Sequence, residues 1–290
     1  MWKGIIEVLL PDFLAFFYSD QTFDLDKGYE FLDKELEEIY PFVGGQHQGR
    51  RVDKLVKVFD TTGNEQWLLI HIEVQSYRDE NLPLRMFNYF YRIVDRYKTP
   101  VSTLVILADS NPRYYPAEYR YSVYGTNLLY SYPTYKVLDQ SEEELVKNDN
   151  PFATVIQIVL TAFKLNKLTN IEQVDLKFSL VRKLYDKGYQ PKTIRALMLF
   201  IRFYVKLGNN NMNLLFDKKV KHIVKNHETM GIEEMIIQEA KKRGVEQGIE
   251  RKVLEATKKM VQEGFATTVI CKVLDVTPDF VKRVKSKIQP

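Results

Sequence analysis

Two runs rich in β-branched and aliphatic residues, Arg51 to Phe59 and Trp67 to Gln75, stand on either side of Asp60-Thr-Thr-Gly-Asn-Glu-Gln66. Gly63-Asn64 supplies the positive φ that a tight reversal needs, so the segment reads as a β-hairpin. Pairing about Gly63 sets Asp53 opposite Glu73. Strand side chains alternate, so His71, Glu73 and Gln75 share one face, while Ile70, Ile72 and Val74 form an apolar face suited to a core. Two carboxylates side by side on neighbouring strands repel, at a cost in stability unless a cation lies between them. Carboxylate oxygens without thiolates favour a hard divalent ion, Mg²⁺ or Mn²⁺.

The flanks extend this pattern. Gly28 to Tyr40 reads as an amphipathic helix carrying Tyr29, Leu32, Leu36 and Ile39 on one face, stopped by Pro41 and Gly44-Gly45. Glu35 falls inside the apolar arc of that helix, as an accessory carboxylate or as a rim or capping residue. Leu82 to Tyr97 reads as a second helix and Val101 to Ala108 as a buried strand, giving the order α, β, β, α, β. A stretch rich in Tyr and Pro then predicts short strands and turns, in part an edge extension of the sheet. From Asn150 onward the chain reads as wholly helical, over Pro151 to Leu165, Ile171 to Asp186, Lys192 to Leu207 and Met212 to His227. The expected organisation is an α/β domain over 1–145, a helical region over 146–230 and a basic helical tail over 231–290.

At 290 residues, 45% hydrophobic and 28% charged, the chain has ample material for a core. Its single cysteine, Cys271, cannot close an intramolecular disulfide, which fits a reducing, cytoplasmic setting. The apolar start is interrupted by Glu7, Pro11 and Asp12, so neither a membrane span nor a signal peptide is expected. Nothing in the pattern calls for a small-molecule organic cofactor. Residues 241–290 hold 12 Lys/Arg against 6 Asp/Glu, leaving a near-neutral body of 30 against 32. A basic tail suits a polyanion, and equally a solvated charged helix.

Four segments carry a resemblance: Gly28-Tyr-Glu-Phe-Leu-Asp-Lys-Glu-Leu36, Val52-Asp-Lys-Leu-Val-Lys-Val58, Leu69-Ile-His-Ile-Glu-Val-Gln75, and Arg85-Met-Phe with Tyr91-Arg-Ile-Val-Asp-Arg-Tyr97. In this order they resemble the PD-(D/E)XK (restriction-endonuclease-like) nuclease core, a small mixed sheet flanked by helices. More narrowly they resemble the bacterial recombination-promoting nuclease and transposase (Rpn-like) family, over most of residues 10 to 140. The resemblance implies that Asp53 and Glu73 bind a metal through their side chains, with the Val74 carbonyl as a third ligand and Glu35 as an accessory. Gln75 stands where the superfamily motif usually ends in lysine. It can hydrogen-bond water or phosphate but brings no positive charge.

Two basic features complete the reading. Arg85, Tyr89, Arg92 and Arg96 recur along one line of the second helix, where they could hold a DNA backbone or form a solvated face. In the tail, Thr277 and Pro278 are placed to cap and open a last helix bearing Lys282, Arg283, Lys285 and Lys287, after a short helix from Thr267 to Leu274. That arrangement resembles a helix-turn-helix, with dimerisation or capping as the other uses. The expected function is a metal-dependent DNA endonuclease in a recombination, mobile-element or defence context, with DNA as partner and a homodimer kept open. The alternative is a non-catalytic DNA-binding protein that retains the fold, and a third is an interaction protein acting through the helical half.

Overall fold

The computed structural model of the chain describes residues 1–21, 23–33, 51–73, 79–226, 252–274 and 276–288. It divides into two compact units, Met1–His227 and Glu228–Pro290. The first is mixed α/β, with a small mixed sheet flanked by helices, and the chain ends in helices. The division expected at residue 145 falls inside the first unit.

The chain opens with two short helices, α1 (Trp2–Val8) and α2 (Leu10–Phe17), which bend apart at Leu9 just before Pro11. Every interruption of the apolar opening has a place in this pair. Pro11 occupies the first helical turn of α2, where its missing N–H costs nothing. The backbone carbonyl of Asp12 accepts from Asn150 Nδ2 at 2.9 Å. Glu7 pairs with Lys54. Trp2, Ile5, Ile6, Leu10, Phe13 and Leu14 are buried.

The sheet is ordered β1-β2-β3-β4-β7, from β1 (Glu30–Phe31), β2 (Arg51–Phe59), β3 (Glu65–Glu73), β4 (Val101–Leu107) and β7 (Thr134–Lys136). The β1-β2 and β2-β3 pairs are antiparallel, whereas β3-β4 and β4-β7 are parallel. Helix α3 (Leu82–Tyr97) provides the connection that a parallel β3-β4 pair requires. It packs Leu82, Met86, Tyr89 and Ile93 with Leu55, Trp67, Val105 and Leu107 in one buried cluster.

Two expectations change here. The helix foreseen from Gly28 is absent at its start, because Glu30 and Phe31 form β1 opposite Lys57 and Val56. Gly28 takes φ 81° after a 3-10 turn over Leu25–Lys27, and Leu32 N donates to Leu55 O at 2.7 Å, so sheet bonds replace helical ones. Residues 34–50, including Glu35, lie outside the described residues. The hairpin register also differs: Asp53 lies opposite His71, and Glu73 opposite Arg51. The cause is Asp60. Its Oδ1 accepts from Thr62 N (3.0 Å), Thr62 Oγ1 (2.6 Å) and Asn64 N (2.9 Å), while Asp60 N donates to Asn64 O at 3.0 Å. These bonds close a loop over 60–64, centred on Thr62 instead of Gly63, with Gly63 at φ 91°.

The Tyr-rich stretch yields β7 as an edge strand and a separate two-stranded ribbon, β5 (Glu118–Val123) with β6 (Thr126–Ser131). A short helix that was not expected, α4 (Glu142–Lys147), opens the helical half, and the others follow the expected segments closely: α5 (Pro151–Lys164), α6 (Asn170–Asp186), α7 (Pro191–Tyr204) and α8 (Asn210–Asn226). Asn150 caps α5 through a 2.7 Å bond from Phe152 N, and Thr169 with Glu172 forms a capping box on α6. Within α6, Lys177 is buried. Its amine donates to Arg202 O at 3.1 Å and sits 4.6 Å from the Phe216 ring centre. In the second unit residues 252–262 are helical, followed by α9 (Thr267–Leu274) and α10 (Pro278–Ile288), with Ile270, Val281 and Val284 buried. Phe280 N donates to Thr277 Oγ1 at 3.3 Å, the expected cap. Among the described residues no helix is long and apolar enough to cross a membrane.

Two predictions arise from these features. The hydrogen bond from Thr62, foremost among its partners, holds the Asp60 carboxyl down to about 2. Its contribution is therefore complete above the unfolded carboxylate range and lost as pH falls toward 2. Asp60→Ala should lower the melting temperature at pH 7, and the gap from wild type should close between about pH 4 and pH 2 in thermal melts. Burial, reinforced by Arg202 and opposed by Asp217, pushes the Lys177 ammonium down to about 8. Between about 8 and the unfolded value of 10.5 the folded state binds fewer protons than the unfolded state, so stability rises with pH. Denaturant melts should show wild type gaining on the order of 3 kcal/mol over that window relative to Lys177→Met, which lacks the titration.

Candidate functional site

The site is built on the β2-β3 hairpin. Asp53 and Glu73 both belong to its ladder, but they are not direct partners. Glu73 stands two residues beyond His71, the partner of Asp53. The two positions therefore share one ladder parity as diagonal neighbours, a spacing of roughly 7–8 Å with Cβ atoms somewhat closer. This parity is that of Leu55 and Trp67, whose side chains pack toward α3. Glu73 is also the last residue of β3 and pairs with Leu107, the last of β4. The candidate positions thus occur at the carboxyl end of the parallel strands, where open α/β sheets bind ligands. Val74 and Gln75 lie outside the described residues.

Buried charge surrounds this end of the sheet. Asp109 follows β4 with a fully buried side chain, and its Oδ2 accepts from Lys136 Nζ of β7 at 2.7 Å. Asp79 Oδ2 accepts from Arg85 Nη1 of α3, also at 2.7 Å. Tyr114 joins the two pairs: its hydroxyl donates to Asp79 O at 2.8 Å, and its own carbonyl lies 3.4 Å from Lys136 Nζ. Each cation is matched by a carboxylate within the protein, so these groups brace the strand ends.

Arg85 is consequently corrected from a DNA-backbone contact to a structural cation. It is 4% exposed, and Tyr89 beside it is 1% exposed, because this line of α3 turns inward with Met86 and Ile93. Arg92 and Arg96, two and three turns further on, are exposed. In the tail Lys282 is exposed, 4.0 Å from Asp279. The backbone of Arg283 lies in α10, and its side chain lies outside the described residues.

Sequence reasoning missed another buried cation, Lys54. Its amine has no solvent exposure and pairs with Glu7 and, at 2.6 Å, with Asp33, above the Phe31 ring at 4.2 Å. The signal was present. Lys54 shares the parity of Val56 and Val58, an apolar row in which a lysine needs a carboxylate, by the logic applied to Glu35. No comparable signal marked Asp109 or Lys136, whose partnership depends on a strand crossing that local pattern does not specify.

By donor chemistry, Asp53 and Glu73 suit a hard divalent cation, and their shared parity on adjacent strands is compatible with both serving one ion. Among the described residues no group of three or more His, Cys, Asp or Glu forms a metal cluster. The chain matches no protein-family model, no curated protein and no solved structure.

Arg85→Ala should take from the buried Asp79 the cation it is paired with and lower stability by roughly 3–5 kcal/mol, measured by denaturant unfolding. A surface arginine binding only phosphate would instead leave stability within about 0.5 kcal/mol.

Proposed function

We propose that this chain is a metal-dependent DNA endonuclease of the PD-(D/E)XK class, within the Rpn-like family that its segments resemble. One observation supports the reading above the others. Asp53 and Glu73 occupy same-parity positions on adjacent antiparallel strands, at the carboxyl end of a β3-α3-β4 parallel unit. Asp53 and Glu73 would hold Mg²⁺ or Mn²⁺, with the Val74 carbonyl and Glu35 as further donors. Such an ion lowers the pKa of a bound water so that hydroxide is available near neutral pH. Gln75 orients the attacking water or the scissile phosphate through its amide and supplies no charge. Arg92 and Arg96, exposed on α3, would contact phosphates, as would Lys282 and Arg283 if the tail acts as a helix-turn-helix. Recombination, mobile-element or defence use and a cytoplasmic location belong to the same proposal.

The test is plasmid nicking by purified protein with Mg²⁺, Mn²⁺ or EDTA, beside Asp53→Ala/Glu73→Ala. Metal-dependent cutting lost in the double variant, with unchanged circular dichroism, is the expected result. Cutting that survives in the variant would place the active centre elsewhere. DNA binding without cutting under either ion would favour a non-catalytic DNA-binding protein, a reading for which the Gln75 substitution already speaks.

A further inference from the structure

The β5-β6 ribbon has no part in the proposed catalytic centre. Its loop is Tyr124-Gly125, with φ of 46° and 86°, the two positive values of a two-residue type I′ turn. Phe87 stacks on Tyr119 at 5.2 Å, Phe90 stacks on Tyr130 at 4.8 Å, and the Tyr130 hydroxyl bonds Thr103 Oγ1 at 2.8 Å. These contacts seat the base of the ribbon on α3 and β4. Beyond them Tyr121, Val123, Tyr124 and Leu129 are exposed.

Both outer edges of the ribbon are open among the described residues, since no other strand joins this two-stranded sheet. In the turn described, Val123 and Thr126 exchange backbone hydrogen bonds, and alternation makes Tyr121-Leu128 and Tyr119-Tyr130 the next bonded pairs. The bond from Tyr132 N to Ala117 O continues the same series. Glu118, Arg120 and Ser122 therefore direct their N–H and C=O groups outward from β5. Proteins usually guard such an edge with lysine, proline or a bulge. Glu118 to Ser131 contains no lysine and no proline, and its two charges, Glu118 and Arg120, pair with each other at 2.5 and 3.1 Å. With no net charge the ribbon lacks the cationic surplus that phosphate binding demands.

We propose that the outer edge of β5 pairs with the same edge of a second copy of this chain, antiparallel about Tyr119. This register sets Glu118 opposite Arg120 of the other copy, and Arg120 opposite its Glu118, at the positions whose backbone groups face outward. Tyr121 then lies across from the small Ala117 of the other copy. Pro116, with no N–H to give, ends the ladder beyond Ala117. The contact is isologous, as two-fold symmetry requires, and one acid and one base on the same edge make it self-complementary. A short ladder belongs at the weak end of specific interfaces, so the dimer forms at roughly micromolar to tens of micromolar protein.

Sedimentation velocity of the full chain from about 1 to 100 µM tests this without reference to nuclease activity. Wild type should shift from monomer to dimer over that range. Arg120→Glu, which places like charges opposite one another twice, should raise the dissociation constant by about tenfold or more. The charge exchange Glu118→Arg/Arg120→Glu should restore dimerisation. Both sites are exposed, and circular dichroism checks that the variants remain folded. A wild type that stays monomeric, an Arg120→Glu variant that still dimerises, or an exchange that fails to recover would each overturn the proposal.

Discussion

One buried amine ties strand β2 to the N-terminal part of the first unit. Lys54, in the middle of β2, meets Glu7 from α1 and Asp33 from the segment after β1, so three parts of the chain converge on a single cation. Removing an ammonium from water costs several kcal/mol, and the state that recovers that cost is one in which both carboxylates arrive together. Hydrophobic burial would hold α1 against β2 in many rotations, whereas a bonded lysine allows few. The strand that carries Asp53 therefore takes its position from residues at the very start of the chain.

Aromatic packing extends the same connection into the helical half. Phe13 meets Phe152 at 4.9 Å, Phe17 meets Tyr135 of β7 at 4.9 Å, and Trp2 meets Phe200 at 5.3 Å. The N-terminal helices thus touch the sheet on one side and α5 and α7 on the other. Helices α5 to α8 and the strands accordingly share one compact unit. A boundary placed where strand pattern gives way to helix pattern cannot register contacts made by the first 17 residues.

Much of the fold was legible because local pattern and tertiary environment agree. Leu82 to Tyr97 has both a proline in its first turn and a periodic apolar stripe, and it forms as read. The run Leu104 to Leu107 is apolar and buried because its strand is central, with strands on both sides. Where the two disagree, the reading failed. Glu30 and Phe31 have helical periodicity but yield to pairing with β2, and Arg85 has the spacing of a surface line but turns inward to Asp79. At the candidate site, the sequence made the pairing of the Asp53 and Glu73 strands legible and missed its register. An Asp side chain that bonds Thr62, Asn64 and Gln66 leaves no trace in strand alternation. The buried partners Asp109 and Lys136 were not legible, since each meets the other only after a crossover.

The loop over 60–64 has a consequence for anyone who alters this protein. It is an exposed hairpin tip of polar residues, the kind of place usually chosen for an epitope or a fused domain. Here its bonds to Asp60 define how β2 and β3 count against each other. Because strand alternation has a period of two, a single added or deleted residue that propagated into the ladder would exchange the faces of one strand relative to the other. Lys54 would then face α3, and the row shared by positions 53 and 73 would be broken. The loop is thus permissive by its exposure and intolerant by its geometry, and a tag placed there would act on the sheet's interior from outside.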